Sequence, residues 1–345
     1  MAKTLLLVGV GHLIVLRAML QRWRPQSRAL AIIGDGNQGA VATRNGITLG
    51  APGCGHRRTG STGGSTAAPG LDGRAIRAML PPSAALGLWI RTETMTMNDT
   101  TERGMVIVTG GSRGIGAAIC RKLAADGYAV AVNYATQPDA AASVVADIVA
   151  AGGRAKAFPA DVSSESDVRT LFTEAQAALG PLVGLVNNAG ILGGSTRVEA
   201  LTVEALNRTL AINVVGTVLC AREAINILST RHGGKGGAIV NLGSVATRLG
   251  GPGELVHYAT SKGAIDTFTL GLAREVADEG IRVNAVAPGL IDTEMNSAER
   301  QARISPNIPI KRPGTAPEIA EAVAWLLSPA ASYVTGSILT VSGGR

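Results

Sequence analysis

The sequence predicts an α/β protein built on a doubly wound, parallel, seven-stranded sheet with helices on both faces. Two observations lead to this fold class. From residue 104 onward, seven short runs rich in Val, Ile and Ala alternate with longer segments of helical periodicity. The runs are apolar on consecutive rather than alternate residues, which is typical of parallel strands covered on both faces.

The first run, "MVIVTG" from Met105, opens the predicted sheet. The other six follow in chain order: "YAVAVNY" from Tyr128, "AKAFPA" from Ala155, "LVGLVNN" from Leu182, "AIVNLGS" from Ala238, "IRVNAVAPG" from Ile281 and "SILTVSGG" from Ser337. Ligands of such sheets bind beyond the carboxyl ends of the strands. The residues that end these runs are therefore the candidates for function.

The turn after the first run has two interpretations. Gly110, Ser112 and Gly114 match the nucleophile elbow of a serine hydrolase. Gly110, Gly114 and Gly116 also match a turn that holds a diphosphate, because the glycines allow close approach and the following helix offers free N–H groups. Residues elsewhere in the chain discriminate between these two interpretations.

The second run ends in Asn133 and Tyr134, without the carboxylate that an NAD-binding turn usually places there. Arg113, inside the glycine turn, can instead face a 2′-phosphate, which favours NADP and leaves NAD open. The fourth run ends in Asn187 and Asn188, whose amides either brace neighbouring turns or hold a nucleoside.

The most specific constellation is Ser244, Tyr258 and Lys262. Ser244 ends the fifth run, and Tyr258 and Lys262 stand four residues apart, on one face of a helix. We expect the ammonium to lower the pKa of the phenol, so that the tyrosine exchanges a proton with a carbonyl or an alcohol near neutral pH. His257 points about 100° away from Tyr258, and we expect it to face solvent or a neighbouring subunit.

With these residues in place, the chain from about Gly104 to the C-terminus resembles the short-chain dehydrogenase/reductase family, in particular its sugar-dehydrogenase-like and 3-oxoacyl-reductase-like members. The resemblance implies a Rossmann-type fold with Asn213, Ser244, Tyr258 and Lys262 as catalytic residues. It implies contacts with the cofactor from Gly110, Ser112, Arg113, Gly114, Ile115, Gly116, Asn133, Tyr134, Asp161, Val162, Asn188, Ala189, Gly190, Tyr258, Lys262, Pro288, Gly289, Ile291 and Thr293.

In the mechanism that this resemblance implies, Tyr258 is the general acid of carbonyl reduction and the base of alcohol oxidation. Ser244 orients the substrate oxygen, and Lys262 supports the tyrosine and binds the nicotinamide ribose. Asn213 anchors a water of the proton relay. The cofactor is NADP, the partner is a small carbonyl or alcohol, and a homo-oligomer, either a tetramer or a dimer, is expected.

Two other functions stay open at this point. A non-catalytic NADP-binding sensor or scaffold keeps the fold but generally loses part of the catalytic set, which this chain retains. A hydrolase using Ser112 needs a histidine near the C-terminal end, yet the last histidine is His257, and Tyr258 and Lys262 would have no role.

Composition limits which other classes of function are compatible with the sequence. Hydrophobic residues make up 46% of the chain and charged residues 17%, which supports a large core. The net charge of +7 comes from residues 1–103, with 12 basic and 5 acidic residues; the remainder has 20 of each, so no nucleic-acid surface is expected. Three distant cysteines indicate neither a disulfide framework nor a metal site. We expect a cytoplasmic protein without a membrane span or a metal.

Residues 1–103 are predicted to be a separate extension, largely disordered. Its opening, before residue 40, is typical of a strand, a glycine turn, a helix and a second strand, "RALAIIGDG". We interpret it as a vestigial β-α-β fragment or as translated sequence upstream of the true start. The stretch from Gly46 to Ala75 is rich in Gly, Ser, Thr and Pro and is expected to lack regular structure.

Overall fold

All seven predicted strands are present in the computed structural model, which describes residues 103–345 and the backbone of residues 31–34, 39–43 and 46–49. They are β1 Met105–Val108, β2 Ala129–Tyr134, β3 Arg154–Pro159, β4 Leu182–Asn187, β5 Gly237–Leu242, β6 Ile281–Pro288 and β7 Ile338–Val341. Every pairing is parallel, in the order β3-β2-β1-β4-β5-β6-β7. The predicted fold class is confirmed.

Eight helices connect the described strands. They are α1 Gly114–Ala125, α2 Pro138–Ala150, α3 Glu165–Leu179, α4 Val203–Leu228, α5 Ala246–Leu249, α6 Val256–Glu275, α7 Ala298–Ile304 and α8 Ala316–Leu327. Helices α1, α2 and α8 pack on one face of the sheet, and α3, α4 and α6 pack on the other. The helices therefore cover both faces, as the apolar strands require.

The core has two halves, one on each side of the sheet. Along β1, Met105 and Ile107 join one hydrophobic cluster while Val106 and Val108 join the other, and all four are fully buried. This division follows from the alternation of side chains along a strand. It explains why the inner strands are apolar at every position.

The edge strands depart from that pattern. In β3 only Phe158 is buried, and the residues of β7 are all half-buried. The expectation of strands apolar on both faces therefore holds for the inner strands but is wrong for these two. An edge strand has a neighbour on one side only, so its outer residues stay accessible to water.

The strand order sets the position of the site. Chain order reverses between β1 and β4, which are neighbours in the sheet although β2 and β3 lie between them in the sequence. A crevice opens at such a reversal, beyond the carboxyl ends of the strands. The residues after β1, β4, β5 and β6 thus meet at one edge of the sheet.

Helix α4 is interrupted where it passes this edge. Its middle, Ala211–Gly216, has π-helical geometry between two α-helical parts. Among the described residues, α4 is the one helix long and apolar enough to cross a membrane by length and composition, and a third of the apolar window is buried in the protein. One such helix is weak grounds for a membrane span.

The two described cysteines behave as interior residues. Cys120 and Cys220 are free and fully buried. Burial raises the pKa of both thiols, that of Cys220 to about 12. Both side chains therefore serve as small apolar groups in the core, as expected; Cys54 lies outside the described residues.

Of the N-terminal extension, the structure describes three strands in a unit separate from the parallel sheet. Ala31–Gly34 pairs antiparallel with Gly39–Thr43, which pairs with Gly46–Leu49. The first strand agrees with the strand expected in "RALAIIGDG". Regular structure at residues 46–49 differs from the expectation, because these residues gain partners from a strand that composition alone does not reveal. Apart from Arg103, the other residues of the predicted extension, including the expected strand and helix before residue 31, lie outside the described ones.

Two neighbouring residues of α2 test the assignment of its buried face. Ile148 is 2% exposed, whereas Val149 is 56% exposed. Ile148→Ala is expected to lower the free energy of unfolding by about 3 kcal/mol, because it leaves a cavity. Val149→Ala should change it by less than about 0.5 kcal/mol. Urea denaturation followed by circular dichroism measures both; equal effects would contradict the packing described.

Candidate active site

The turn after β1 forms a cradle at the N-terminus of α1. Gly110 and Gly114 have positive φ, +61° and +52°, and a Cβ on Gly116 would lie 2.2 Å from the carbonyl oxygen of Gly110. The Ala117 N–H makes an early helical hydrogen bond, to the Arg113 carbonyl at 3.1 Å. The N–H groups before it have no intrahelical acceptor, and the first turn of α1 carries no acidic side chain. The cradle thus offers donors and a positive dipole end to an anion.

Asn188 and Thr109 brace this cradle. The Asn188 amide donates to the carbonyls of Thr109 and Gly110, both at 2.9 Å. In return, the Thr109 hydroxyl accepts the N–H groups of Asn188 and Ala189, both at 3.0 Å. Of the two uses left open for the Asn188 amide, the structure shows bracing. The ends of β1 and β4 are thereby tied together.

Asn133 is also a brace. Its side-chain oxygen accepts the Gly110 N–H at 3.1 Å, and its amide nitrogen donates to the Phe158 and Ala160 carbonyls at 3.3 and 3.1 Å. The residue is 1% exposed. The amide points into the protein, so Asn133 shapes the cradle; direct contact of Asn133 with a cofactor stays a prediction. Tyr134, the next residue, ends β2 half-buried.

Two charged residues lie at this edge of the sheet, Arg113 in the cradle turn and Asp161 after β3. The Arg113 guanidinium is 3.4 Å from the Glu294 carboxylate, and both side chains are exposed. Asp161 accepts hydrogen bonds from Ser163 and Arg208, which hold the pKa of its carboxyl below the usual value although burial opposes them. An exposed ion pair of this kind is weak, so the Arg113 cation is available to another anion.

Tyr258 and Lys262 project from α6 beside Ser244, which follows β5. The Lys262 ammonium lies 5.9 Å from the centre of the Tyr258 ring and donates to the Leu242 carbonyl at 2.7 Å. Ser244 hydrogen-bonds the Tyr258 phenol and is almost buried. The structure therefore brings the three predicted residues together.

The electrostatics of the pair differ from the expectation. Burial raises the pKa of the Tyr258 phenol above its ordinary value, and the hydrogen bond to Ser244 and the charge of Arg300 offset this only in part. Burial also lowers the pKa of Lys262 to about 8, with the charge of Asp266 opposing it. The prediction that the ammonium lowers the phenol pKa is wrong for this structure, because desolvation disfavours the charged form of both groups.

Asn213 lies in the π-helical segment of α4 and is fully buried. Its side chain accepts the Ile191 N–H at 2.8 Å and donates to the Ile191 carbonyl at 2.9 Å and to Ser261 at 3.0 Å. The amide therefore positions the loop after β4 against α6. Its expected water-binding role stays a prediction. Val162 packs near the same segment, where a Cβ on Gly216 would lie 2.6 Å from it.

Gly190 and the loop after β6 complete the edge of the site. A Cβ on Gly190 would lie 3.3 Å from the Asn213 side-chain oxygen and 3.5 Å from the Lys262 ammonium. Pro288 accepts the Val245 N–H at 3.0 Å. Ile291 is buried, whereas Thr293 lies 3.5 Å from the Cβ position of Gly114 and so faces the cradle. Gly289 lies in the loop after β6, Ser112 lies in the turn after β1, and Ile115 lies in the first turn of α1.

Charged residues on and around α6 were not anticipated. Asp266 stands one helical turn beyond Lys262, and one of its carboxylate oxygens is buried without a hydrogen-bond partner among the described residues. Glu254, just before α6, forms ion pairs with Arg300 and Arg303 of α7. The Asp266 signal, a carboxylate four residues after Lys262, is visible in the sequence. Arg300 is distant in sequence and has no such signal.

The hydrolase interpretation finds no support in the described residues. His257 is 4% exposed, and its Nε2 hydrogen-bonds the Leu192 carbonyl at 2.9 Å. This also corrects the expectation that His257 faces solvent or another subunit. In residues 103–345, no hydrogen bond joins Ser112 to a histidine. These residues also hold no group of three or more His, Cys, Asp or Glu side chains placed to bind a metal.

The site fits a dinucleotide. Its glycine cradle would be filled by a Cβ at Gly116, its donors suit a diphosphate, and the Tyr258 phenol stands beyond the ends of neighbouring strands. Such a cofactor would lie from the cradle, past Gly190, toward Lys262. The free N–H groups at the start of α1 and the Lys262 ammonium are donors at the two ends of that path, as a polyphosphate and a ribose require.

Comparison with known proteins identifies oxidoreductases as relatives of this chain. The family model described as enoyl-(acyl carrier protein) reductase matches residues 110–345. An uncharacterized oxidoreductase of Escherichia coli, YgfF, is 53% identical over 70% of this chain and 99% of its own length. Glucose 1-dehydrogenase 2 of Bacillus subtilis is 40% identical over 69% of this chain and 93% of its own.

A solved structure has the same fold as residues of this chain. The crystal structure of a short-chain dehydrogenase from Burkholderia cenocepacia, in complex with NADP, superposes with a TM-score of 0.65 at 39% identity, over 69% of this chain and 96% of that one. Fold, cradle and the Ser244, Tyr258 and Lys262 set thus agree with sequence likeness over the same residues. The chain belongs to the short-chain dehydrogenase/reductase family of oxidoreductases.

Proposed function

We propose that this protein is an NADP(H)-dependent oxidoreductase that interconverts a carbonyl and an alcohol, with Tyr258 as the general acid and base. The observation that carries the proposal is the Tyr258 phenol, hydrogen-bonded to Ser244 and close to Lys262, at the sheet edge that also carries the glycine cradle. A nicotinamide cofactor, when bound, supplies or accepts the hydride.

The residues of the chain supply proton transfer and orientation. A raised pKa keeps the Tyr258 phenol protonated at neutral pH, so it is ready to donate a proton to a carbonyl oxygen. Ser244 hydrogen-bonds the same phenol and is placed to stabilise the charge that grows on that oxygen. Lys262 is held by the Leu242 carbonyl, and Asp266 favours its charged form.

Cofactor choice rests on Arg113 and on the end of β2. No carboxylate follows Asn133 and Tyr134, where an NAD-binding turn places one. Arg113 is bound only by an exposed partner and can turn to a 2′-phosphate. The NADP complex of the Burkholderia relative supports the same choice.

The competing functions are less well supported. A non-catalytic sensor or scaffold has no need for the buried proton-transfer set, which this chain keeps together. Sugars and oxoacyl compounds rank first as substrates, in line with the glucose dehydrogenase relative. Exposed apolar side chains on α4 and α6, among them Val215, Val218 and Leu270, support a homo-oligomer, either a dimer or a tetramer. We further propose that the protein is cytoplasmic.

Tyr258→Phe tests the assignment of the acid. The variant is expected to lose at least about 100-fold in turnover, since it removes the proton donor, while it still binds NADPH. Tyr333→Phe, the same change on a fully exposed ring, should leave turnover unaltered. NADPH consumption with a panel of carbonyls measures turnover, and NADPH fluorescence measures binding. Full turnover in Tyr258→Phe would overturn the proposal.

Arg113→Ala tests the cofactor. It should raise the KM for NADPH by about 10-fold or more, because a charge-assisted hydrogen bond to the 2′-phosphate is lost, and leave the KM for NADH nearly unchanged. Glu294→Gln removes the ion-pair partner but keeps the cation, so NADPH binding should persist or improve. A wild-type protein that prefers NADH would contradict the assignment.

The pH profile of carbonyl reduction tests the state of Lys262. Burial holds its pKa at about 8, so the ammonium is intact below pH 8 and is lost as the pH rises through that value. We expect kcat/KM to fall above about pH 8. Asp266→Asn should move this fall to lower pH, because the carboxylate raises the pKa of Lys262. Thermal unfolding over the same range controls for loss of structure. A fall that Asp266→Asn does not move would contradict the role of Asp266.

A further inference from the structure

The loop after β4 runs along the N-terminal part of α6, past Tyr258. At the start of the loop, a Cβ on Gly190 would lie 3.5 Å from the ammonium of Lys262, four residues after Tyr258. Further along, the Thr196 N–H donates to the carbonyl of Glu254, four residues before Tyr258, at 2.9 Å. The loop from Gly190 to Thr196 therefore spans the turn of α6 that carries the phenol, and it borders the space beside that turn.

His257 bonds the middle of this loop. The imidazole is 4% exposed, and its Nε2 lies 2.9 Å from the Leu192 carbonyl oxygen. Because a carbonyl only accepts hydrogen bonds, Nε2 carries the hydrogen of this one. No other donor among residues 103–345 bonds that carbonyl. Since His257 is the chain neighbour of Tyr258, the bond fixes how far the loop lies from the residue that transfers the proton.

Two glycines let the loop come this close. Gly193 and Gly194 have positive φ, +76° and +91°, which residues with a Cβ rarely adopt. A Cβ on Gly193 would lie 3.0 Å from His257 Nε2 and would overlap the hydroxyl of Thr209, a fully buried residue of α4. The loop is therefore packed against α4 and α6 at contact distance, with no side chain of its own between them at this point.

The other attachments of the loop lie nearer its ends. Asn213 holds the start, because its amide bonds both backbone groups of Ile191. Between Ile191 and the Thr196 N–H, the described residues show one further hydrogen bond to the loop, the one from His257. Without that bond the two glycines, which have the widest choice of backbone conformations, would let the middle of the loop move away from α6.

We propose that His257 is a positioning residue that determines specificity: by holding the Leu192 carbonyl, it keeps the loop close to Tyr258 and restricts the site to carbonyl compounds that are slender on the side of the loop. This inference rests on the function proposed above and deepens it. The imidazole takes no part in proton transfer, because its Nε2 hydrogen is bound to the loop. Release of the loop widens the space beside the phenol and admits bulkier carbonyl compounds.

Hydrogen–deuterium exchange of the full-length protein tests the attachment without turnover. His257→Leu keeps a similar volume but removes the donor, whereas His257→Gln keeps an N–H at a similar reach. The peptide of residues 190–202 should exchange about 10-fold faster in His257→Leu, because a buried carbonyl loses its donor, and near the wild-type rate in His257→Gln. His232→Leu, the same change at an exposed histidine, is the matched control and should leave this peptide unaffected. Thermal unfolding checks that each variant is folded.

Matched ketones test the selectivity. NADPH consumption is measured with ethyl acetoacetate, with ethyl benzoylacetate, which is bulkier on one side of the same ketone, and with benzyl acetoacetate, which is bulkier on the other. His257→Leu should shift the ratio of kcat/KM toward at least one bulky ketone by about 10-fold, mainly through KM, while the KM for NADPH stays unchanged. His257→Gln should restore the wild-type ratio, which a general loss of structure would not allow.

The outcomes separate this inference from the function on which it rests. Unchanged exchange in His257→Leu would overturn the attachment, and equal losses of turnover on all three ketones would overturn its role in selectivity; both leave the oxidoreductase standing. An effect of His232→Leu as large as that of His257→Leu would also overturn the inference. If no protein consumes NADPH with any carbonyl compound, the proposed function and the selectivity fail together, while faster exchange in His257→Leu retains the attachment of the loop.

Discussion

The desolvation of Tyr258, which is half-buried, and of Lys262, which is buried, is the constraint on which the chemistry of this site depends. Desolvation disfavours the charged form of each group, so it raises the pKa of the phenol and lowers that of the ammonium. The phenol is consequently a proton donor at neutral pH and not a phenolate. The ammonium keeps its charge only through the Leu242 carbonyl and Asp266. Removal of either partner would cost more here than at an exposed lysine, because the buried charge has no access to water.

The architecture makes that burial possible by using its own amides to join strand ends. Asn188 and Thr109 tie β4 to β1, Asn133 ties β2 to the same turn, and Asn213 ties the loop after β4 to α6. Each of these buried amides makes two or more hydrogen bonds, so its burial is compensated. The glycine turn then has a defined shape: the Gly110 and Gly111 N–H groups are bound by Asn133, and the N–H groups at the start of α1 have no intrahelical acceptor. Because the bracing amides satisfy the polar groups around the cradle, the remaining N–H groups of the cradle are available to a ligand.

The sequence predicts the seven strands well because each inner strand is apolar at every position and ends at a polar residue. It also identifies Ser244, Tyr258 and Lys262, whose spacing is local to one strand end and one helix. The direction in which a strand-end amide points depends on non-local carbonyls, so the bracing role of Asn133 was missed. The π-helical Ala211–Gly216 has no distinct sequence period. The sign of the phenol pKa shift depends on total burial, which a pairwise argument from spacing omits.

The segment after β6 links the two halves of the site through unequal ion pairs. Near the cradle, Glu294 holds Arg113 across an exposed 3.4 Å contact, a pair worth at most about 1 kcal/mol. Near the phenol, Glu254 holds Arg300 in a partly buried pair, and its carboxyl pKa is lowered by Arg303 and Arg300 against the effect of burial. The exposed Arg113–Glu294 pair is therefore the weaker of the two. An anion bound by Arg113 would compete with Glu294 for that cation, whereas it leaves the Glu254–Arg300 pair untouched.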